Sequence, residues 1–236
     1  MRNFHRLTPG ALVGGMLAIA SPAQATTTFA QFLQAVPSAR IFTYTNVTSV
    51  GTKAKLGTLA SSNTVLVSDL GSLASPTAAR INLVGTASAL PTVGTDITQL
   101  FSGSITFTLL APQLGLYGWS TDALRVTFVD AELIAPPGGT APGLQSRATS
   151  VITYQSDFVD LSSLTSEDFS LSFSGASAAL SMSGLRLPNF KVSGSGTFAG
   201  VAPAPEPASW ALMLGGFGLV GAAMRSARRR SAVSFG

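Results

Sequence analysis

Residues 168–174 read Asp-Phe-Ser-Leu-Ser-Phe-Ser, a run in which apolar and small polar residues alternate without a break. Successive side chains of a β-strand point to opposite faces, so a period of two predicts a strand with one buried and one exposed face. The same alternation recurs after Pro37, in runs that Gly, Pro, Asn or Asp interrupt. The seven further runs are residues 41–45, 64–68, 80–84, 104–109, 124–128, 150–154 and 191–198.

Many short strands without helices between them are typical of an antiparallel β-sandwich, so we expect an all-β body that is jelly-roll-like or Ig-like. Ahead of the strands, Thr28 can cap a short helix that Pro37 ends. Four apolar residues recur there at helical spacing. They are Phe29, Phe32, Leu33 and Val36.

The apolar phase slips by one residue within 124–133, from Leu124, Val126 and Phe128 to Val129, Ala131 and Leu133. A β-bulge produces such a slip within a strand, so we predict a bulge here. Residues 136–143 follow as a loop rich in Pro and Gly.

Residues 1–25 have the pattern of a secretory signal peptide. Arg2 and Arg6 precede a short apolar run, and Ala23 and Ala25 form an A-x-A cleavage site before Thr26. We therefore expect export through the Sec translocon and cleavage by signal peptidase between Ala25 and Thr26.

Residues 208–224 contain no ionisable side chain, and about 17 residues at 1.5 Å each are just enough for a helix to cross a bilayer. An excess of Arg at one end of such a segment keeps that end in the cytoplasm and stops translocation. The sequence thus predicts a single transmembrane helix with the body outside. The stop-transfer residues are Arg225, Arg228, Arg229 and Arg230.

Pro205, Glu206 and Pro207 come directly before this segment. The two prolines fix φ and lack an N–H, so they hold the tripeptide extended and stop the helix from continuing back through it. Trp210 lies where an aromatic ring anchors among lipid headgroups. The result is a stiff acidic handle at the outer membrane surface.

The order Pro205-Glu206-Pro207, two spacers, Trp210-Ala211, a Gly-rich apolar run and an Arg cluster resembles a PEP-CTERM sorting signal of the PEPxxWA type. The resemblance covers about the last 30 residues and implies processing by exosortase, an integral membrane Cys protease or transpeptidase of exopolysaccharide-producing Gram-negative bacteria. It implies an inner-membrane-anchored precursor that faces the periplasm, followed by release or attachment outside the cell. The alternative is a single-pass membrane protein that nothing processes.

The basic character of the chain belongs to its ends. The whole sequence has 14 Lys and Arg and a net charge of +4, yet residues 26–205 contain eight basic and nine acidic residues. A nucleic-acid-binding body would need a basic patch for phosphate contacts. We therefore expect no nucleic-acid partner.

The predicted mature body lacks the residue types of most hydrolases. The sequence has no Cys, and its single His, His5, lies in the predicted signal peptide. A Ser-His-Asp triad, a Cys nucleophile and a His-ligated zinc site are therefore excluded, and we expect no catalytic residues, metal or cofactor.

The remaining candidates are acids and one aromatic residue. Asp130 and Glu132 share a strand face and could act as acid and base or bind Ca²⁺, although a solvated face is favoured. Trp119 could stack on a sugar ring, although a core position is the more common role of a lone Trp. Two further acidic pairs are expected to cap turns. They are Asp157 with Asp160 and Glu167 with Asp168.

Together these features predict an exported cell-surface or matrix protein whose body is a non-catalytic structural or binding module, with exopolysaccharide and the biofilm matrix as its expected surroundings. A carboxylate-based enzyme acting on polysaccharide is the alternative. The expected organisation is a signal peptide (1–25), a β-sandwich ectodomain (26–200), a linker with the PEP motif (201–207), a transmembrane helix (208–224) and a basic cytoplasmic tail (225–236).

Overall fold

The computed structural model describes residues 26–48, 51–59, 63–73, 75–201, 215–221 and 224–225. The chain divides into two compact units. One unit, Gln24–Pro203, contains every described strand, and the described part of the other consists of the helical residues 215–221 and 224–225.

The described part of the body contains twelve strands, and all their pairings are antiparallel. They are β1 (Thr26–Gln34), β2 (Phe42–Asn46), β3 (Ala54–Thr58), β4 (Thr64–Ser68), β5 (Thr77–Ala87), β6 (Thr92–Val93), β7 (Ile97–Gly115), β8 (Gly118–Ala135), β9 (Gly143–Gln145), β10 (Val151–Gln155), β11 (Ser166–Ser174) and β12 (Phe190–Val201).

The strands form one sheet that closes on itself into a barrel of eight positions. Six positions are occupied by β5, β7, β8, β9, β11 and β12 in turn. The other two are each shared by a pair of short strands. On one edge of β12, β1 covers 196–201 and β2 covers 190–192, while β4 and β3 cover the two halves of one edge of β5. The pairs β1–β4 and β2–β3 complete the ring.

The predicted sandwich is therefore wrong, although the all-β class is right. A sandwich consists of two sheets with free edges, whereas here the long strands β5 and β12 each pair on both edges and join all the strands into one closed sheet. The alternation of apolar and polar residues shows which side chains face inward, but it does not show which strand edges pair with each other. A sandwich and a closed sheet produce the same alternation.

Aromatic rings from many strands fill the interior. Phe198 of β12 lies near the centre, with its ring centroid 5.5 Å from that of Phe107 and 6.3 Å from that of Phe32. Phe169 of the neighbouring strand follows at 6.4 Å. These four side chains are at most 2% exposed. The interior of the closed sheet is thus filled with packed side chains, and burial of large aromatic side chains is its main source of stability.

The predicted N-terminal helix is also wrong, because Thr26–Gln34 forms β1. Ala30, Phe32 and Gln34 point inward at period two, and Leu33 remains 63% exposed. Pairing with both β12 and β4 gives this stretch tertiary contacts on two edges. Such contacts override a local helical spacing of four apolar residues.

The predicted bulge in β8 is confirmed. Phe101 pairs with Ala131 but Gly103 pairs with Phe128, so one strand has an extra residue at this point. Asp130 adopts a positive φ of 60° there. Phe128 before the bulge and Ala131 after it both have buried side chains. Val129, which the sequence pattern placed among the inward-facing residues, is instead 45% exposed.

The C-terminal part of the fold prediction needs a correction as well. Within 208–224 the described helical residues are 215–221 and 224, and the others lie outside the described residues. No helix among the described residues has the length and apolar content required to cross a membrane. The expected transmembrane helix is therefore not part of the described fold.

Candidate functional site

The two ends of the body lie side by side. Thr26, the first residue of β1 and the first residue of the predicted mature chain, pairs with Val201, the last residue of β12. Val201 pairs on its other edge with Ser166 of β11. The body therefore ends four residues before Pro205 and at the same edge of the sheet where it begins.

Most of the predicted targeting residues lie outside the described residues. Of the predicted stop-transfer residues, Arg225 is helical. Of the cleavage-site residues, Thr26 is described and begins β1. The assignments of both sets stay predictions. Those outside the described residues are Ala23, Ala25, Pro205, Glu206, Pro207, Trp210, Ala211, Arg228, Arg229 and Arg230.

A cleft of about 270 Å³ adjoins Thr26 and Val201. Glu167 and Asp168 line it together with Ser146, whose hydroxyl donates a hydrogen bond to the Asp168 carboxylate. Burial raises the pKa of Glu167 above its usual value. The predicted capping pair at 167–168 thus forms part of the wall of a cleft at the end of the body.

The β7–β8 hairpin carries the most exposed aromatic side chains of the body. Beyond the pair Thr108–Asp122 the register shifts, and pairing resumes at Gln113–Ser120, Leu114–Trp119 and Gly115–Gly118. We call residues 113–120 the hairpin tip. Side chains of directly paired residues lie on the same face, so Leu114 and Trp119 share one face and Gly115 and Ser120 lie on the other.

The face with Gly115 and Ser120 is fixed to the loop around Asp157. The Leu116 N–H donates to the Asp157 carbonyl at 2.7 Å, and the Ser120 hydroxyl donates to Asp157 Oδ2 at 2.5 Å. A Cβ on Gly115 would lie only 2.4 Å from the Asp157 carbonyl oxygen. Only glycine permits this approach, so the tip is held in place rather than free.

The opposite face of the tip is apolar and open to solvent. Trp119 is 76% exposed and Leu114 is 63% exposed on this face, and Tyr117, in the turn between the two strands, is 82% exposed. No Asp, Glu, Lys, Arg or His occurs from Leu109 to Thr121. The interpretation of Trp119 as a core residue is therefore wrong, and a cluster of exposed apolar side chains of this kind is characteristic of an interaction surface.

A groove of about 510 Å³ lies beside Tyr117. Its polar lining consists of acids, hydroxyls and an amide, and no Lys or Arg lines it. Hydrogen bonding from the Ser162 hydroxyl, and then from the Ser162 N–H at 3.0 Å, holds the pKa of Asp160 below its usual value. The main polar lining residues are Gln155, Asp157, Asp160, Ser162 and Glu167.

The acidic pair in β8 has a different setting. Asp130 is exposed at the bulge, and Glu132 Oε2 lies 3.9 Å from Arg147 Nε. A solvated ion pair of this kind contributes little to stability. No cluster of three or more potential metal-ligating side chains occurs among the described residues.

Two tyrosines of the core have raised pKa values. The Tyr44 hydroxyl donates to Gln99 Oε1 at 2.8 Å, and burial raises the pKa of Tyr44 to about 12. The Tyr154 hydroxyl donates to the Asp168 carbonyl. Burial first, then the charges of Asp168 and Glu167, raise the pKa of Tyr154 far above its ordinary value.

These shifts predict a loss of stability in alkali. An unfolded tyrosine ionises near pH 10.0, whereas folded Tyr44 keeps its proton until about pH 12. Because the unfolded state releases protons first, the free energy of unfolding should fall as the pH rises from 10 to about 12. Urea unfolding across this interval measures the slope, and the Tyr44→Phe variant should have a shallower one. Identical slopes in parent and variant would contradict the assignment.

Comparison with known protein families found a match for one short segment of the chain. Residues 203–230 match the model of the PEP-CTERM protein-sorting motif, which confirms the resemblance of the C-terminal signal. The motif marks the chain as an exported protein that exosortase processes and that is directed to the cell envelope or surface. No curated protein and no solved structure matches this chain.

Trp119 was the one residue of the hairpin tip that the sequence offered as a candidate, and the tip as a whole was not predicted. Leu116, Tyr117 and Trp119 lie between the glycines 115 and 118 or beside them, in the order Gly-Leu-Tyr-Gly-Trp. A tight glycine-flanked turn rich in apolar residues and without charge was the available signal. The hydrogen bonds of Leu116 and Ser120 to Asp157 place the groove acids beside it, and these long-range contacts leave no local pattern in the sequence.

Proposed function

We propose that the chain is a matrix protein of the cell exterior whose body, once freed from both targeting segments, is a non-catalytic binding or structural module associated with exopolysaccharide. One observation carries this proposal. All twelve described strands lie between Thr26 and Val201, so the closed sheet uses no residue of the sorting motif. Cleavage at the motif would therefore leave the packed body intact.

In this proposal the precursor is held at the inner membrane with the body in the periplasm until exosortase acts. Exosortase, signal peptidase and the Sec translocon are the partners during export. The polar groove and the exposed hairpin tip support a binding role for the body afterwards. The setting of Asp130 and Glu132, one on a bulge and one beside Arg147, favours binding over carboxylate catalysis.

The export route is tested in the natural host. We expect the protein in the medium or on the surface of the parent strain, and in the envelope fraction of a strain that lacks its exosortase. An exported protein without the motif is the control and should be unaffected. Equal release from both strains would contradict exosortase processing.

A further inference from the structure

We propose that the outer face of the hairpin tip docks on the surface of a lipid bilayer with zwitterionic headgroups, with Trp119 and Leu114 as the inserting side chains. The inference goes beyond the proposed function because it assigns a partner to a surface that neither export nor processing uses. It rests on that function in one respect, since it takes the precursor to be held at the inner membrane.

The two faces of the tip differ in chemistry. Gly115 and Ser120 face the loop around Asp157, so the carboxylate of Asp157 lies on that side of the hairpin. Leu114 and Trp119 are directly paired, share the opposite face and are both exposed. A bilayer that meets the outer face therefore contacts apolar side chains and not this carboxylate.

The residue types of the tip suit the boundary between lipid and water. Trp and Tyr rings are enriched at the headgroup level of membranes, and the tip exposes Trp119 and Tyr117. No Asp, Glu, Lys, Arg or His occurs from Leu109 to Thr121, so insertion of this stretch buries no charged side chain. The Leu116 N–H at the turn already donates to the Asp157 carbonyl, which lowers the cost of removing the turn from water.

The tip lies at the end of the body from which the chain continues to the sorting motif. Glu167 lines both the groove beside Tyr117 and the cleft beside Val201. Val201 lies seven residues before the apolar stretch 208–224, and seven residues extend to at most about 25 Å. In a precursor held at the membrane through that stretch, the end of the body with the tip is therefore the end close to the lipid surface.

The charges beside the tip select the kind of lipid. Asp160 and Glu167 line the groove beside Tyr117, and no Lys or Arg lines it, so the tip has no attraction to anionic headgroups. Docking must then depend on burial of apolar area, which salt does not screen. A bilayer with zwitterionic headgroups offers this burial without repelling the groove acids.

The test uses the exported protein, purified from its host, and centrifugation with vesicles of phosphatidylcholine and phosphatidylethanolamine. The parent should sediment with the vesicles in low and in high salt. Trp119→Ala should weaken partitioning about tenfold or more, because it removes the largest apolar side chain of the face. Leu114→Asp should abolish binding, since a charge would have to enter the interface. Leu185→Asp makes the same change at a residue outside the tip that is 70% exposed, and it should bind like the parent.

Four results would overturn the proposal. These are no sedimentation with the vesicles, parental binding by the Trp119 and Leu114 variants, binding that requires phosphatidylglycerol and is lost in high salt, and a Trp119-dependent dimer or dextran complex without vesicle binding. Both substituted residues are exposed, so the core should be unchanged, and equal thermal unfolding of the variants checks this. The assay needs no exosortase, so failure of docking is distinguishable from failure of processing.

Discussion

Replacing Gly103 with alanine is expected to destabilise the body by about 4 kcal/mol or more, a large part of the roughly 5–15 kcal/mol available to a typical domain. Gly103 of β7 pairs with Gly85 of β5 at the point where the register with β8 shifts. A Cβ on Gly103 would lie 1.9 Å from the Val84 carbonyl oxygen and 2.8 Å from the Gly85 Cα. Both are backbone atoms, so β5 and β7 would have to separate.

Separation at this point matters because β5–β7 is one of the pairings that close the ring. Urea unfolding of the Gly103→Ala variant measures the loss. Gly94→Ala is the matched control, since a Cβ on Gly94 has its nearest neighbour, the Asp96 carbonyl oxygen, at 3.9 Å. A Gly103→Ala variant as stable as the parent would show that the two strands do not approach as described.

The second large effect is expected at the sorting motif. Glu206→Gln keeps the shape of the side chain and removes its charge, and a charge-assisted contact with the processing enzyme would be lost. Loss of one partner from such a pair costs about 2–5 kcal/mol, which is at least tenfold in affinity. We therefore expect release from cells to fall about tenfold or more, with full-length protein in the envelope fraction.

The two prolines and the arginines have separate tests. Joint replacement of Pro205 and Pro207 with alanine should reduce release because the tripeptide is no longer held extended.

Replacement of the four arginines with serine should weaken retention of the precursor in the membrane and leave the Pro205-Glu206-Pro207 tripeptide unchanged. Glu132→Gln makes the same chemical change in the body and is the control. Parental release of the Glu206 and proline variants would disprove recognition of the motif.

Alternation of residues was sufficient to locate most strands. Six of the eight period-two runs lie within a strand, and 64–68 coincides with β4. The runs 41–45 and 150–154 each begin one residue before their strands, β2 and β10. The β8 bulge was also predictable, since a bulge leaves a phase slip in the sequence. The strands β3, β6 and β9 were missed, because β3 has only Ala54 and Leu56 as apolar residues and β6 and β9 have only two and three residues.

Closure of the sheet could not be read from the alternation. It depends on β12 and β5 each accepting two short strands along one edge, a property of long-range pairing that no local pattern contains. The assignment of Thr26–Gln34 to a helix failed for the same reason, because contacts with β12 and β4 decide its conformation.

The sorting motif was predictable because its residues are contiguous, whereas the groove is not. Tyr117 and Glu167 are 50 positions apart in sequence and line the same groove only because of the fold. The sequence suggested sugar stacking for Trp119 but could not decide between a buried and an exposed ring. That distinction depends on Gly115, whose close approach to Asp157 turns the other face of the tip outward.

The intact mass of the protein released by its natural host tests the central claim most directly. Processing at both ends predicts a single species that begins at Thr26 and ends within or shortly before the sorting motif at 203–230, without the arginine cluster. A released species whose mass includes the sequence through Gly236 would contradict processing by exosortase.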